Sequence, residues 1–186
     1  GMAIRTTFIS GFPGETEEDH RELVEFVERM EFDALGVFEY SHEPGTVAGT
    51  MEDDPAYAVS SADKARRRAE VMEAQQRIAF GQAAYLAEQF DEKNPTAGGV
   101  QLDVIIDETL RSSGRRTSGI GDGGRLYRGR AYHQAPQIDS VTYIQSRDSR
   151  SPGEVVRCTI VGSDGYDLVA RPTTELEKRI GLRVVK

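Results

Sequence analysis

Two glycine-rich stretches are the first candidates for chemistry, because glycine-rich turns can hold phosphate groups. The first, Gly11-Phe12-Pro13-Gly14-Glu15-Thr16, lacks a following Gly-Lys-Ser/Thr and is flanked by acidic residues. The second, Gly119-x-Gly121-x-x-Gly124, has the dinucleotide-binding spacing but lies in a stretch rich in Gly, Ser and Arg and opens no predicted helix. We therefore predict no phosphate site at either stretch.

Metal ligands and nucleophiles are few and scattered along the sequence. The three histidines, His20, His42 and His133, show no metal-ligand spacing, and Cys158 is the one cysteine. A single cysteine excludes an internal disulfide and a multi-cysteine metal site within these 186 residues. No serine or cysteine can be paired with a catalytic base from sequence alone. The residues by themselves show no complete catalytic site. The single cysteine makes a reducing, cytoplasmic location the simplest prediction.

The first glycine-rich stretch joins a predicted strand to a predicted helix. A strand is predicted over Ala3–Gly11, and Thr16 followed by Asp19 predicts a capping box for a helix over Glu17–Glu31. A second strand over Leu35–Ser41 is expected to lie parallel to the first. Ligands of such units bind beyond the carboxyl ends of the strands, so we look for a site there.

A loop and a long helix are predicted to follow. The loop covers His42–Asp54, and the helix, capped by Ser61 or Asp63, runs to about Phe90. Its spacing predicts an inner stripe of Ala65, Ala69, Met72, Gln76, Ala79, Ala83, Leu86 and Phe90. These two strand–helix units cannot close a parallel sheet by themselves, so this half is interpreted as the last part of a larger α/β domain.

The second half of the chain differs from the first in its net charge and in the period of its apolar residues. Residues 1–96 carry 9 Lys+Arg against 20 Asp+Glu, whereas residues 97–186 carry 14 against 11. We therefore predict two domains, 1–96 and 97–186. Period-two patterning predicts strands over Gln101–Glu108, Leu126–Tyr132, Ser140–Gln145, Glu154–Gly162 and Tyr166–Arg171. Five short strands predict a small barrel of the OB type.

Three further segments complete the prediction. Ser112–Gly124 is expected to be a mobile loop. A helical turn is expected at Glu175–Ile180 and an edge strand at Leu182–Val185.

The segment from Arg5 to Asp19 resembles the methylthiotransferase family of radical SAM enzymes, in which it corresponds to the fifth strand of a partial TIM barrel and the next helix. The segment from Gly36 to Ala48 resembles the sixth strand and its loop. The long helix resembles the one that leads out of that barrel. The residues that carry this resemblance are Arg68, Gln75, Gln76 and Ile78. The β region resembles the TRAM domain. The resemblance implies an α+β fold: the C-terminal β-α-β-α portion of a partial TIM barrel, then a five-stranded antiparallel OB-like barrel.

Two branches of that family compete for the assignment. The RimO type methylthiolates an aspartate of a small-subunit ribosomal protein, and the MiaB type modifies a tRNA adenosine. The Tyr-Ser-x-Glu-x-Gly-Thr loop at residues 40–46, Ala135-Pro136-Gln137-Ile138-Asp139 and Tyr166-Asp167-Leu168 resemble the RimO type. A non-catalytic TRAM module that binds RNA or the ribosome remains the alternative from another class.

The resemblance also implies a cofactor wall. The residues expected to line the adenine of S-adenosylmethionine in the intact enzyme are Ile9, Gly11, Phe12, Phe38, Tyr40 and Ser41. Gly11 is expected to leave room for the purine, and no residue is predicted to be catalytic or to bind metal. The full-length enzymes carry [4Fe-4S] clusters on a Cys-x-x-x-Cys-x-x-Cys motif that these residues lack. We interpret the chain as a C-terminal piece that should bind no cluster and be inactive alone.

The expected partners are a small-subunit ribosomal protein or the ribosome, with weak RNA contact and no membrane. OB-type barrels bind nucleic acid with basic and aromatic surfaces. The candidates for that surface are Arg111, Arg115, Arg116, Arg125, Arg128, Arg130, Tyr127 and Tyr132. The same basic loop could equally be a solvated, flexible segment. The edge of the first strand near Arg5–Ile9 is expected to promote self-association.

Overall fold

The computed structural model describes residues 2–95, 98–110 and 124–177. The chain forms two compact units, which meet in sequence between Ala79 and Phe80. The first contains β1 (Arg5–Ser10), α1 (Glu17–Met30), β2 (Ala34–Glu39), α2 (Val47–Glu52) and most of α3 (Ser61–Glu88). The second contains the end of α3, β3 (Gln101–Leu110), β4 (Arg125–Ala131), β5 (Thr142–Ser146), β6 (Val155–Asp164), β7 (Asp167–Pro172) and α4 (Thr173–Glu177). None of the helices in the described part of the chain is long and apolar enough to cross a membrane.

The first unit is a two-stranded parallel sheet with helices packed on one face. The two strands pair in register from Arg5 with Ala34 to Ser10 with Glu39, as the crossover rule predicts. The core on the helical face consists of Val27, Phe32, Val37, Val71 and Ala74. In the described residues no further strand pairs with either outer edge. Self-association through such an edge stays a prediction.

Helix α1 begins where the sequence predicts. The Thr16 hydroxyl accepts a hydrogen bond from the Asp19 amide at 3.1 Å, and the Asp19 carboxylate accepts one from the Thr16 amide at 2.8 Å. Both halves of the predicted capping box are therefore present. The helix ends at Met30, because the next residue, the cap Glu31, has a left-handed φ of 47°.

Helix α3 differs from its prediction at its start and along its first half. Its cap is Ser60, whose hydroxyl accepts from the Asp63 amide at 3.1 Å, and neither Ser61 nor Asp63 has that role. The predicted inner-stripe residues Ala65, Ala69 and Gln76 are exposed. The buried positions of this helix are Lys64, Arg67, Val71, Ala74, Gln75 and Ala83. The stripe prediction was wrong there because the buried face of the helix begins with the cations Lys64 and Arg67, which the predicted stripe did not include.

The loop predicted over His42–Asp54 contains the short helix α2. The Thr46 hydroxyl caps this helix by accepting from the Gly49 amide at 2.9 Å. A side chain at Gly49 would overlap the carbonyl oxygen of Glu43, so glycine is required there. Glycine lowers helix propensity, and six residues show no helical period, which explains why the sequence predicted a loop.

The second unit is a closed five-stranded barrel in the order β3-β4-β5-β7-β6. The barrel prediction is confirmed, but the expectation that all pairs are antiparallel needs a correction. Strands β5 and β7 are parallel, with Tyr143 opposite Val169, and the other four pairs are antiparallel. Five strands cannot alternate in direction around a closed ring, so one neighbouring pair has to be parallel.

The barrel core is built from inward-facing residues of all five strands. Its fully buried members include Val104, Ile106, Tyr127, Ile144 and Ile160. Two residues from the end of α3, Ala83 and Leu86, also pack against this core. The compact unit therefore starts earlier than residue 97, while a domain boundary at 96/97 stays a prediction.

The last helix, α4, corresponds to the helical turn predicted from Glu175 onwards, and its Leu176 is buried. The predicted edge strand at Leu182–Val185 lies outside the described residues. The predicted mobile loop, Ser112–Gly124, is also outside them except for Gly124.

Candidate functional site

The carboxyl ends of β1 and β2 bring together four of the residues implied to line a cofactor. Ile9 and Phe38 are partners in the strand register and are 54% and 66% exposed on the face opposite the helices. Beyond the strand ends, the rings of Phe12 and Tyr40 meet edge to face with centroids 5.4 Å apart. The Tyr40 amide donates to the Ser10 carbonyl at 2.8 Å, which keeps the two chain segments together at this edge.

The turn after β1 already holds a carboxylate. The amides of Gly11 and Phe12 both donate to Glu15 Oε2, at 2.6 and 3.2 Å. Gly11 has a φ of 72°, a left-handed conformation that glycine adopts without strain and that turns its amide toward Glu15. The chain's own Glu15 carboxylate thus fills the anion-binding position of this turn, and the absence of a phosphate site stays a prediction.

Arg67 holds this turn in place from helix α3. Its guanidinium is buried and donates to the carbonyl oxygen of Glu15 at 2.9 Å and to its carboxylate at 3.1 Å. It also donates to the carboxylate of Glu17 at 2.7 Å. The hydrogen bond from Arg67, followed by one from Arg66, lowers the pKa of Glu17 below its ordinary value. The buried Arg67 guanidinium is therefore paired with carboxylates of the chain itself.

Lys64 is the second buried cation at this edge. Its ammonium group forms an ion pair with Glu52, donates to the Tyr40 carbonyl at 3.4 Å and lies 5.0 Å from the centroid of the Tyr40 ring. A side chain at Gly11 would overlap Cγ of Lys64. The space beside Gly11 is therefore filled by Lys64 in this structure, and a contact of Gly11 with a cofactor stays a prediction. Ser41 is exposed after the strand end.

Sequence reasoning missed the charged residues that support this edge, namely Glu15, Glu52, Lys64 and Arg67. One signal was available, because Lys64, Arg67 and Val71 follow each other at helical spacing. Lys64, Arg67 and Val71 can be predicted as one buried face of the helix only if Lys and Arg are accepted as buried residues. Burial of Lys or Arg requires a paired carboxylate, and no local pattern shows that Glu15 and Glu52 supply it.

The described residues do not fit an iron–sulfur cluster. Such a cluster needs several thiolates, whereas Cys158 is buried in the barrel core, where burial raises its thiol pKa to about 12. No group of three His, Cys, Asp or Glu side chains within the described ranges could hold a metal ion. His20 and His42 instead contact the carboxylates of Glu70 and Asp53, at 2.6 and 3.2 Å.

Arg128 and Arg130 of the predicted basic surface lie on the outer face of strand β4, and Arg125 is the first residue of this strand. Arg128 pairs with Glu108 at 3.0 Å, Arg130 pairs with Asp107 at 3.1 Å, and Arg125 is exposed. Arg111, Arg115 and Arg116 lie outside the described residues.

The two predicted aromatic members of that surface have different positions. Tyr132 follows β4 and is 64% exposed. Tyr127 is not part of the surface, because strand alternation points it into the core. Its hydroxyl instead accepts from the Arg150 amide at 3.0 Å.

Comparison with known proteins identifies the barrel first. Residues 99–172, which include the barrel strands β3 to β7, match the family model of the TRAM domain.

The similarity to single proteins extends over both units. The chain is 38% identical over 168 residues to the ribosomal protein uS12 methylthiotransferase RimO of Lachnoclostridium phytofermentans, which covers 90% of this chain and 32% of the relative. It is 37% identical over 169 residues to the RimO of Caldanaerobacter subterraneus, covering 91% and 32%. The RimO of Geobacter sulfurreducens is 38% identical over 168 residues, covering 90% and 32%. The predicted resemblance to RimO-type methylthiotransferases is confirmed, and the chain spans about a third of the length of the curated relatives it matches.

Proposed function

We propose that this chain acts as part of a RimO-type methylthiotransferase that modifies an aspartate of the ribosomal protein uS12. The observation that carries the proposal is the similarity to such enzymes along nine-tenths of the chain, through both compact units. In this proposal the first unit belongs to a radical SAM barrel and the TRAM barrel recognises the ribosomal partner. The partner places the reaction in the cytoplasm.

The first unit contributes one wall of a site for S-adenosylmethionine. Ile9 and Phe38 are apolar, adjacent and exposed at the carboxyl ends of parallel strands, the edge at which barrel enzymes bind their ligands. A planar purine fits such a surface through apolar contact, with Phe12 and Tyr40 at its border. The cofactor, when bound, supplies the radical and methyl chemistry of this enzyme class. The chain's own residues orient it and shield it from water.

The charged residues behind the wall keep it in position. Arg67 and Glu15 fix the turn that carries Phe12, and Lys64 with Glu52 fixes the Tyr40 backbone and ring. No proton transfer is assigned to these groups, because each is engaged in an internal pair. We assign no residue of this chain to ligating an iron–sulfur cluster.

Changing the apolar wall to polar residues is expected to lower methylthiolation without unfolding the protein. Ile9→Asn and Phe38→Asn together should weaken cofactor binding at least about tenfold, the effect of losing roughly 1.4 kcal/mol of contact, and so lower the modified fraction of uS12. Both side chains are more than half exposed, so stability should change little. The measurement is mass spectrometry of uS12 from cells that carry the altered gene.

Val155→Asn is the matched control, because Val155 is an equally exposed apolar strand residue, at 63%, on the barrel. It should leave the modified fraction unchanged. A folded Ile9/Phe38 double variant that modifies uS12 as well as the unaltered protein would contradict the cofactor wall.

The second candidate is an RNA-binding role of the TRAM barrel, as in a tRNA-modifying relative or a non-catalytic module. The observation in its favour is that Arg128 and Arg130 share the outer face of β4, and that the exposed Tyr132 directly follows the last residue of this strand. Glu108 and Asp107 neutralise the two arginines, however, which weakens attraction to phosphates. We therefore favour a protein substrate.

A further inference from the structure

The loop between β4 and β5, residues 132–141, is held by hydrogen bonds at its base. Gln134 is buried, and its side-chain oxygen accepts from the Ala131 amide and from the Thr142 hydroxyl, each at 2.8 Å. Its side-chain nitrogen donates to the Ser140 hydroxyl at 3.0 Å. One side chain thus ties both ends of the loop together.

The tip of this loop is fixed in the same way. The Asp139 carboxylate accepts from the Ala135 amide at 2.6 Å, and the Asp139 amide donates back to the Ala135 carbonyl at 3.3 Å. Between them, Gln137 has a φ of 66°, a conformation that non-glycine residues rarely adopt. Such a conformation persists only where surrounding contacts impose it, and it is concentrated at functional sites.

This ordered loop exposes two large apolar side chains. Ile138 is 74% exposed and Tyr132 is 64% exposed, although burying them would be favourable. Binding residues are commonly placed on loops that a rigid scaffold positions. A loop that is already ordered loses little conformational entropy on binding, so its apolar side chains can act as anchors.

The lack of cationic Lys and Arg side chains in the loop favours a protein partner over a nucleic acid. Residues 132–141 contain no Lys or Arg, and the carboxylate of Asp139 accepts a hydrogen bond within the loop. The nearest arginine in sequence, Arg130, is paired with Asp107. Nucleic-acid binding depends on cations that neutralise phosphates, and this loop supplies none. An apolar patch on a protein fits it better.

We propose that the β4–β5 loop is a preformed docking loop that anchors a protein partner through Ile138 and Tyr132. This inference rests on the proposed function for the identity of the partner, uS12. Binding of uS12 to this loop is dominated by apolar contact, so the affinity should depend weakly on salt concentration, in contrast to RNA binding.

The test measures binding of purified uS12 to the whole chain by calorimetry, with oligouridine RNA as a second probe. Ile138→Ser and Tyr132→Ser, made separately, should each weaken uS12 binding at least about tenfold, as expected for interface anchors. Val155→Ser, which removes an equally exposed apolar side chain elsewhere on the barrel, should leave it unchanged. Because all three side chains are exposed, each variant should melt within a few degrees of the unaltered protein.

The possible results test the docking loop and the proposed function separately. If uS12 binds the unaltered chain and both loop variants equally well, the docking loop is refuted and the proposed substrate stands. If the loop variants weaken oligouridine binding and not uS12 binding, the loop is an RNA site and the inference is wrong. If uS12 does not bind the unaltered chain, alone or in the small ribosomal subunit, both proposals are refuted.

Discussion

Replacing Arg67 with methionine is expected to destabilise the first unit by about 3 kcal/mol, the typical cost of removing one member of a buried ion pair. The substitution keeps most of the side-chain volume but removes the cation that Glu15 and Glu17 share. The Glu15 carboxylate would stay largely buried with only the amides of Gly11 and Phe12 as partners. Hydrogen exchange of the amides in β1 and α1 measures this loss separately from the barrel.

The neighbouring Arg66→Met is the matched control. Arg66 pairs with Glu17, Asp63 and Glu70 on the surface, where water screens the attraction, so its loss should change stability far less. Equal effects of the two substitutions would show that the buried pair does not organise the turn. Arg67→Met should leave exchange in the barrel strands unchanged.

Replacing Gly129 with alanine is expected to destabilise the barrel by about 3 kcal/mol, at the upper end for overpacking a core. A Cβ atom there would overlap the carbonyl oxygen of Ile105 and lie 2.9 Å from Cδ1 of Ile144. The first of these is backbone in the neighbouring strand β3, so relief requires breaking the β3–β4 ladder. Chemical denaturation followed by circular dichroism measures the change.

Gly81→Ala is the control, and it should have the opposite sign. Gly81 lies inside helix α3 with open space around its Cβ position, so alanine meets no atom there. Alanine is favoured over glycine in a helix interior by up to about 1 kcal/mol. A barrel that tolerates alanine at position 129 as well as at position 81 would contradict the close approach of β3 and β4.

The barrel could be predicted from the sequence because its physical cause is local. Strands that bury one face alternate between buried and more exposed residues, and β3, β4 and β7 show this alternation over most of their length. The direction of the β5–β7 pair is not local. It follows from closing a ring of five strands, and period-two patterning does not state which strands become neighbours.

The candidate site could be predicted only in its apolar part. Ile9, Phe12, Phe38 and Tyr40 follow from the strand ends and from the family resemblance. The ionic support behind them joins residues that are distant in sequence, with 12 positions between Glu52 and Lys64 and 52 between Glu15 and Arg67. The Glu15 carboxylate also accepts from the amides of Gly11 and Phe12, in the turn that precedes the helix. Such pairings depend on tertiary structure and leave no periodic signal.

The most direct test of the proposed function is the mass of uS12 and the nucleoside content of tRNA in cells with and without this gene. We expect uS12 to carry one methylthio group on an aspartate when the gene is intact and to lose it when the gene is deleted. Methylthiolated adenosine of tRNA should not change. If uS12 is unmodified in cells with the intact gene, or if the tRNA nucleoside disappears on deletion while uS12 keeps its mass, the account is contradicted.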